Sequence, residues 1–221
     1  MSPADKLREA HQLLLKHFGR PDIRDHDPLS VLIKTILSQN TSDLNRDRAY
    51  NALMERFGSF ENVLNADLSE IEEAIKVGGL ARQKAATIKR ALQWVMDNYG
   101  KLDLSELCDD PDAEKKLTSI KGVGVKTARV TLLFGCKQDR FPIDTHIFRV
   151  LKRLGIVPPN ATREKAHGII DELIPPNIAD VLHLNLIRLG REICHPRKPD
   201  CDNCPLKSIC DYALAGGEIR S

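Results

Sequence analysis

Residues 110–134 read DPDAEKKLTSIKGVGVKTARVTLLF, and this stretch decides the fold. Asp110-Pro111 predicts a helix start, an N-cap acid followed by proline at the first helical position. That helix is expected over 111–119, ending near Ile120. The turn Lys121-Gly122-Val123-Gly124 follows, and a second helix is expected over 125–134. Two glycines in so short a turn permit positive φ and close approach of another backbone. The N–H groups around Gly122, Gly124 and Val125 then face outward with a partial positive charge, a cradle for a phosphate. A plain tight connection between two helices reads equally well from the turn alone.

The same helical period recurs on both sides of this hairpin, and strand alternation is nearly absent, so the chain reads as all-α. Helices are expected near 4–18, 44–57, 68–77, 81–98, 145–154, 162–173 and 178–189. Pro28 opens LSVLIKTILSQ, apolar on several faces and therefore central. Gly19, Gly58, Gly78-Gly79, Gly100, Gly155 and Pro158-Pro159 punctuate the pattern.

The chain has 221 residues, 42% of them hydrophobic, enough to bury a core. Net charge is only +2. Between 115 and 153, however, ten Lys or Arg face Asp139 and Asp144, a local balance of +8 against −6 elsewhere. Such a belt suits a polyanion, although a solvated helix face has the same composition. No run nears the roughly 18 apolar residues of a membrane span. The charged start MSPADKLREAHQ is not a signal peptide. An intracellular protein of the cytoplasm or nucleoid is expected, without a membrane partner. There, six cysteines suggest metal binding before a disulfide framework.

Cys194, Cys201, Cys204 and Cys210 give C-x6-C-x2-C-x5-C within seventeen residues. Four thiolates so close match a four-cysteine site, with a cubane iron–sulfur cluster favoured over zinc because only one C-x-x-C pair is present. Cys108 and Cys136 are expected to stand alone, without a role. The loop between the first two ligands carries Arg197 and Lys198, which a metal anchored at both ends would hold toward a phosphate. Lys126 falls in the first turn of the second hairpin helix, where the dipole disfavours a cation. Burial there would populate the free amine, a nucleophile. A lysine reaching to phosphate or solvent is the plainer alternative. Asp144, in PIDTHIFRV, reads as the N-cap of the helix at 145–154 and could still present its carboxylate to a substrate.

Together GVGVKTA, DTHIFRV and the cysteine spacing resemble the endonuclease III family of helix-hairpin-helix DNA glycosylases, over nearly the whole chain. The resemblance implies two helical domains flanking a DNA-binding cleft. A six-helix barrel with the hairpin would span 21–135. An iron–sulfur domain would join 1–20 to 136–221 around a 4Fe–4S cluster on the four cysteines. It implies a monomer acting on double-stranded DNA with damaged bases or abasic sites. Lys126 would be the nucleophile and Asp144 the catalytic carboxylate. Leu80, in VGGLARQK, would fill the gap left by an extruded nucleotide, together with Asn40 or its neighbour Gln39. The family commonly has Ala-Gln where this chain has Gln39-Asn40, a departure that bears on lesion choice.

The activity implied is that of a bifunctional glycosylase and abasic-site lyase, removing oxidised pyrimidines through a lysine Schiff base and breaking the strand by β-elimination. Two alternatives stand beside it. One is a glycosylase of this fold for mismatched uracil or thymine, or for oxidised guanine. The other is a DNA-binding module without catalysis, which would need neither Lys126 nor Asp144.

Overall fold

The structure is a computed structural model describing residues 1–23 and 27–217. Among the described residues every regular element is helical. The chain divides into two compact units, Asp25–Gln138 and Met1–Arg24 with Asp139–Ser221. The expected domain spans also run over residues 24–26 and 218–221, which lie outside the described residues.

The unit of Asp25–Gln138 is built around α2 (Pro28–Leu37). Asp27 caps it by accepting from the Ser30 amide at 2.7 Å. Seven of its ten residues are buried, on several faces, as the apolar run predicts; Ser30 and Lys34, one turn apart, are half-buried. Around it lie α3 (Asp43–Phe57), α4 (Phe60–Asn65), α5 (Leu68–Ile75), α6 (Ala81–Tyr99), α7 (Ala113–Thr118) and α8 (Val125–Cys136). Short 3₁₀ turns cover Lys76–Gly78 and Ser105–Asp109. One continuous core runs from Leu29 through Ile36, Leu53, Ile88 and Leu117 to Leu132. At Gly135 of α8, a Cβ would lie 2.7 Å from the Cα of Pro28, so glycine lets the backbones of these two helices approach closely.

Three details of this unit depart from the sequence reading. First, α4 is an additional helix. It has six residues, too few to show periodicity, and its one clear signal is the Ser59 N-cap. Second, α7 starts at Ala113 rather than at Pro111. Asp110 caps a turn instead: its Oδ1 accepts from the Asp112 amide at 2.8 Å, and its other oxygen pairs with Lys116. Third, Cys108 and Cys136 do not stand alone. They form a disulfide, Cα to Cα 4.9 Å, tying the turn at 105–109 to the last residue of α8. Twenty-eight residues separate them in sequence, and only the fold brings the turn and the helix end together.

The other unit contains α1 (Pro3–Phe18), α9 (Thr145–Arg153), α10 (Arg163–Leu173), α11 (Ala179–Glu192) and the short α12 (Asp211–Leu214), preceded by a 3₁₀ turn at Lys207–Ile209. Helix α1 has a serine N-cap, proline at its first position and glycine at its end, and buries Leu7, Ala10 and Leu14. It packs on α11 and α10. Lys6 donates to the Leu154 carbonyl at 2.8 Å and pairs with Asp211. Asn185 of α11 donates to the Gly19 carbonyl at 3.2 Å. The N-terminal helix is thereby fastened to segments more than 130 residues away.

Candidate functional site

The hairpin joins α7 to α8. Gly122 has φ +103°, and a Cβ there would sit 2.5 Å from Thr87 Oγ1, so only glycine fits. Gly124 differs: its φ is −92°, and it serves as the N-cap of α8. A Cβ at Gly124 would meet no protein atom within 4 Å, which leaves its outer side open. The turn is held from α6. Arg90 Nε donates to the Lys121 carbonyl at 2.9 Å, and its Nη2 reaches Thr87 Oγ1 at 3.0 Å. Gln39 Nε2 donates to the Gly122 carbonyl at 3.4 Å. With two carbonyls taken by protein donors, the turn offers a ligand the N–H groups that open α8. Arg129, buried in α8, pairs with Glu114 of α7 at 3.0 Å and braces the two helices.

Lys126 is the second residue of α8 and is half-buried, so its side chain starts inside the first helical turn. Neither Thr87 nor Arg90 was recognisable from the sequence as a support of this turn, because both contacts join segments more than thirty residues apart.

Asp144 does cap α9: its Oδ1 accepts from the Ile147 amide at 2.8 Å. Two buried histidines hold the residues before it. His167 Nε2 accepts from the Ile143 amide at 3.2 Å, and His183 Nδ1 lies 3.0 Å from the Pro142 carbonyl. Phe141 packs edge-on against the His183 ring. Sequence reading missed both histidines, since a lone histidine on a helix carries no signal of what it grips.

Asn40 and Leu80 share an unusual backbone. Both are non-glycine residues in the left-handed region, at φ +51° and +50°. Asn40 is exposed, and Leu80 is 51% exposed at the start of α6, so neither is a core residue. Gln39, by contrast, is half-buried and turned to the hairpin.

The four cysteines follow α11. Arg153 fixes their loop, donating to Cys194 Sγ at 3.1 Å and to the carbonyls of His195 and Pro196 at 2.7 and 3.1 Å. Arg149 donates to the Cys194 carbonyl at 2.9 Å, and Cys210 Sγ lies 3.3 Å from the Arg153 carbonyl. Among the described residues no three His, Cys, Asp or Glu side chains are arranged to hold one metal ion. The fit to a polynuclear cluster lies in the donor set. Burial pushes the Cys204 thiol up to about 11, and burial followed by the neighbouring Cys194 raises that of Cys201. Four thiols gathered where each thiolate repels the next are stabilised by a cationic iron–sulfur core, and a guanidinium against sulfur suits the result. Arg197 and Lys198 are exposed on the loop, Lys198 with φ +50°.

Comparison with known proteins agrees with these features. Residues 33–176 match the model of the HhH-GPD superfamily base excision DNA repair protein. Residues 194–210 match the iron-sulfur binding domain of endonuclease III. Endonuclease III of Thermotoga maritima is 32% identical, covering 97% of this chain and 98% of its own. Endonuclease III of Sulfolobus acidocaldarius is 35% identical over 95% and 94%. A trapped endonuclease III–DNA covalent intermediate superposes with TM-score 0.83 at 25% identity, over 99% of this chain and all of that one.

Proposed function

Because the chain belongs to the HhH-GPD superfamily of base excision DNA repair proteins, we propose that Lys126 makes it a bifunctional DNA glycosylase and abasic-site lyase. Base excision by a DNA glycosylase of endonuclease III type, acting on DNA and carrying a 4Fe–4S cluster, is the activity of the family. The lyase step and the residues that perform it are our assignment. The observation that carries it is a half-buried lysine in the first turn of α8, directly after a glycine turn whose outer side at Gly124 is open. A module that only binds DNA would use a lysine there as a cation toward phosphate and would not need its free amine.

The hairpin amides hold the phosphate, and the damaged nucleotide leaves the stack. Asn40 and Leu80 fill the space it vacates. The Lys126 amine attacks C1′, and the bond from C1′ to the base breaks with its electron pair leaving on the base. The carboxylate of Asp144 stabilises positive charge on the sugar as that bond lengthens and accepts the proton that the amine loses. The C1′–O4′ bond then breaks as the nitrogen lone pair forms the C=N bond of the Schiff base, and O4′ takes up the proton held by Asp144. Loss of a proton from C2′ then expels the 3′ phosphate oxygen, and the strand breaks. Cys194, Cys201, Cys204 and Cys210 would hold the cluster, which cross-links the loop carrying Arg197 and Lys198 so that both reach phosphates.

Oxidised pyrimidines are the proposed lesions. Gln39-Asn40 stands where the family commonly has Ala-Gln, and this departure keeps a second reading open, in which uracil or thymine opposite guanine, or oxidised guanine, is the target. Duplexes each holding one lesion, scored for base release and for nicking, decide between them. Release and nicking of oxidised pyrimidines are expected; release confined to mismatched uracil or thymine, or to oxidised guanine, would select the second reading. Release without nicking on every duplex would remove the lyase.

Loss of the cluster is expected from Cys204→Ser. The variant should lack the broad visible absorbance near the iron–sulfur region, release iron and sulfide, and bind duplex more weakly with a flatter salt dependence. Zinc in the wild type, or unchanged binding in the variant, would contradict the assignment.

A further inference from the structure

Lys84 is 1% exposed, one of the largest fully buried side chains in the protein. Among the described residues no carboxylate bears on its charge; burial lowers its proton affinity. Its ammonium donates to two carbonyls, Leu37 and Gly78, each at 2.7 Å. A buried cation held by two neutral acceptors is a costly way to fill a core position where α6 otherwise presents Ala85, Ile88 and Val95. What distinguishes this position is what lies downstream of the two carbonyls.

Leu37 is the last residue of α2, and its carbonyl has no donor within the helix. Three residues on stands Asn40, left-handed and exposed. Gly78 closes the 3₁₀ turn after α5, and two residues on stands Leu80, also left-handed and half-exposed. The main-chain amide of Lys84 itself donates to the Leu80 carbonyl at 3.0 Å. One residue thus grips both segments that end in a strained, outward-facing side chain. Left-handed backbone at Asn and Leu persists only where the surroundings over-determine it.

We propose that Lys84 is a positioning residue for base extrusion, holding the Asn40 loop and the Leu80 loop in one fixed arrangement so that both side chains enter the DNA stack together. The proposal rests on the gap-filling role given above to Asn40 and Leu80. Lys84 touches neither DNA nor the reacting sugar; it acts through two carbonyls. It is distinct in this from Lys126, and its loss leaves the nucleophile in place.

The test uses the cluster-loaded protein and the variant Lys84→Met, which keeps an unbranched apolar stem and removes the donors. Two substrates are compared by borohydride trapping: a duplex with a paired lesion, and a single strand with an abasic site, where no stack has to be filled. Extrusion is followed separately by 2-aminopurine fluorescence beside the lesion. On duplex, Lys84→Met is expected to lose roughly 10–100-fold in kcat/KM and most of the fluorescence rise, while single-strand trapping stays within about twofold. Leu80→Ala and Asn40→Ala should likewise lose the fluorescence rise on duplex. Equal losses on both substrates would assign Lys84 to stability alone and overturn the proposal. If Leu80→Ala and Asn40→Ala impair extrusion and Lys84→Met does not, the inference fails by itself. If those two variants leave extrusion unchanged, the gap-filling reading fails and takes the inference with it. Lys84→Gln, with a shorter donor, is the second variant, expected to show the same selectivity at smaller amplitude. Failure of both variants to fold would likewise place Lys84 in the scaffold and end the proposal.

Discussion

Lys126→Ala should yield no protein–DNA adduct when borohydride is added to enzyme and an abasic duplex, where the wild type is trapped covalently. Strand cleavage should fall by about 10⁴-fold or more, the scale expected when a covalent nucleophile is removed. The folded protein should survive. Lys126 sits in the first turn of α8, where the helix dipole gives a cation no support, so alanine removes an unfavourable charge and keeps a good helix former. Duplex binding should weaken only modestly, because the hairpin presents backbone N–H groups and keeps Gly122, Gly124 and their supports. The combination is diagnostic. A lysine that only contacts phosphate would change affinity and the salt slope together and leave the trapped adduct intact. An adduct surviving in Lys126→Ala would move the nucleophile to another amine and end the assignment.

The hairpin was readable in the sequence because its information is local. Two glycines, a following lysine and flanking apolar periods all lie within one short stretch, and the cap at Asp144 and the cysteine spacing are each local in the same way. What was not readable is long-range. The grip of Arg90 on Lys121 and the fit of Thr87 against Gly122 join residues whose spacing in sequence means nothing by itself. The Cys108–Cys136 bridge has the same character, since each cysteine sits in an unremarkable local context. The late start of α7 shows a different cause. Asp110 had two competing uses, helix cap and turn cap, and the turn with its Lys116 pair prevailed. For Lys84 a signal did exist. It occupies the apolar stripe of α6 four residues before Ile88 and eleven before Val95, so a charged residue on a buried face was visible, though its two carbonyl partners were not.

Asp144→Asn separates two roles that one side chain holds at once. As a cap, Asp144 accepts from the Ile147 amide through Oδ1, and asparagine caps almost as well by the same oxygen. The melting temperature should therefore move little, by less than about 0.5 kcal/mol in stability. The base-release rate, in contrast, should fall by about 10²–10⁴-fold, because an amide neither stabilises positive charge on the sugar nor accepts the proton from the attacking amine. Asp144→Ala provides the contrast: it should lose the rate to a similar degree and also about 1 kcal/mol of stability with the cap. The two histidines that hold Pro142 and Ile143 sharpen the argument. They fix the backbone that delivers Asp144 whether or not its carboxylate is charged, so a rate loss in the asparagine variant cannot be ascribed to a displaced helix start. Equal rates in Asp144→Asn and wild type, on a duplex at saturating concentration, would reduce Asp144 to its cap and leave Lys126 without its carboxylate.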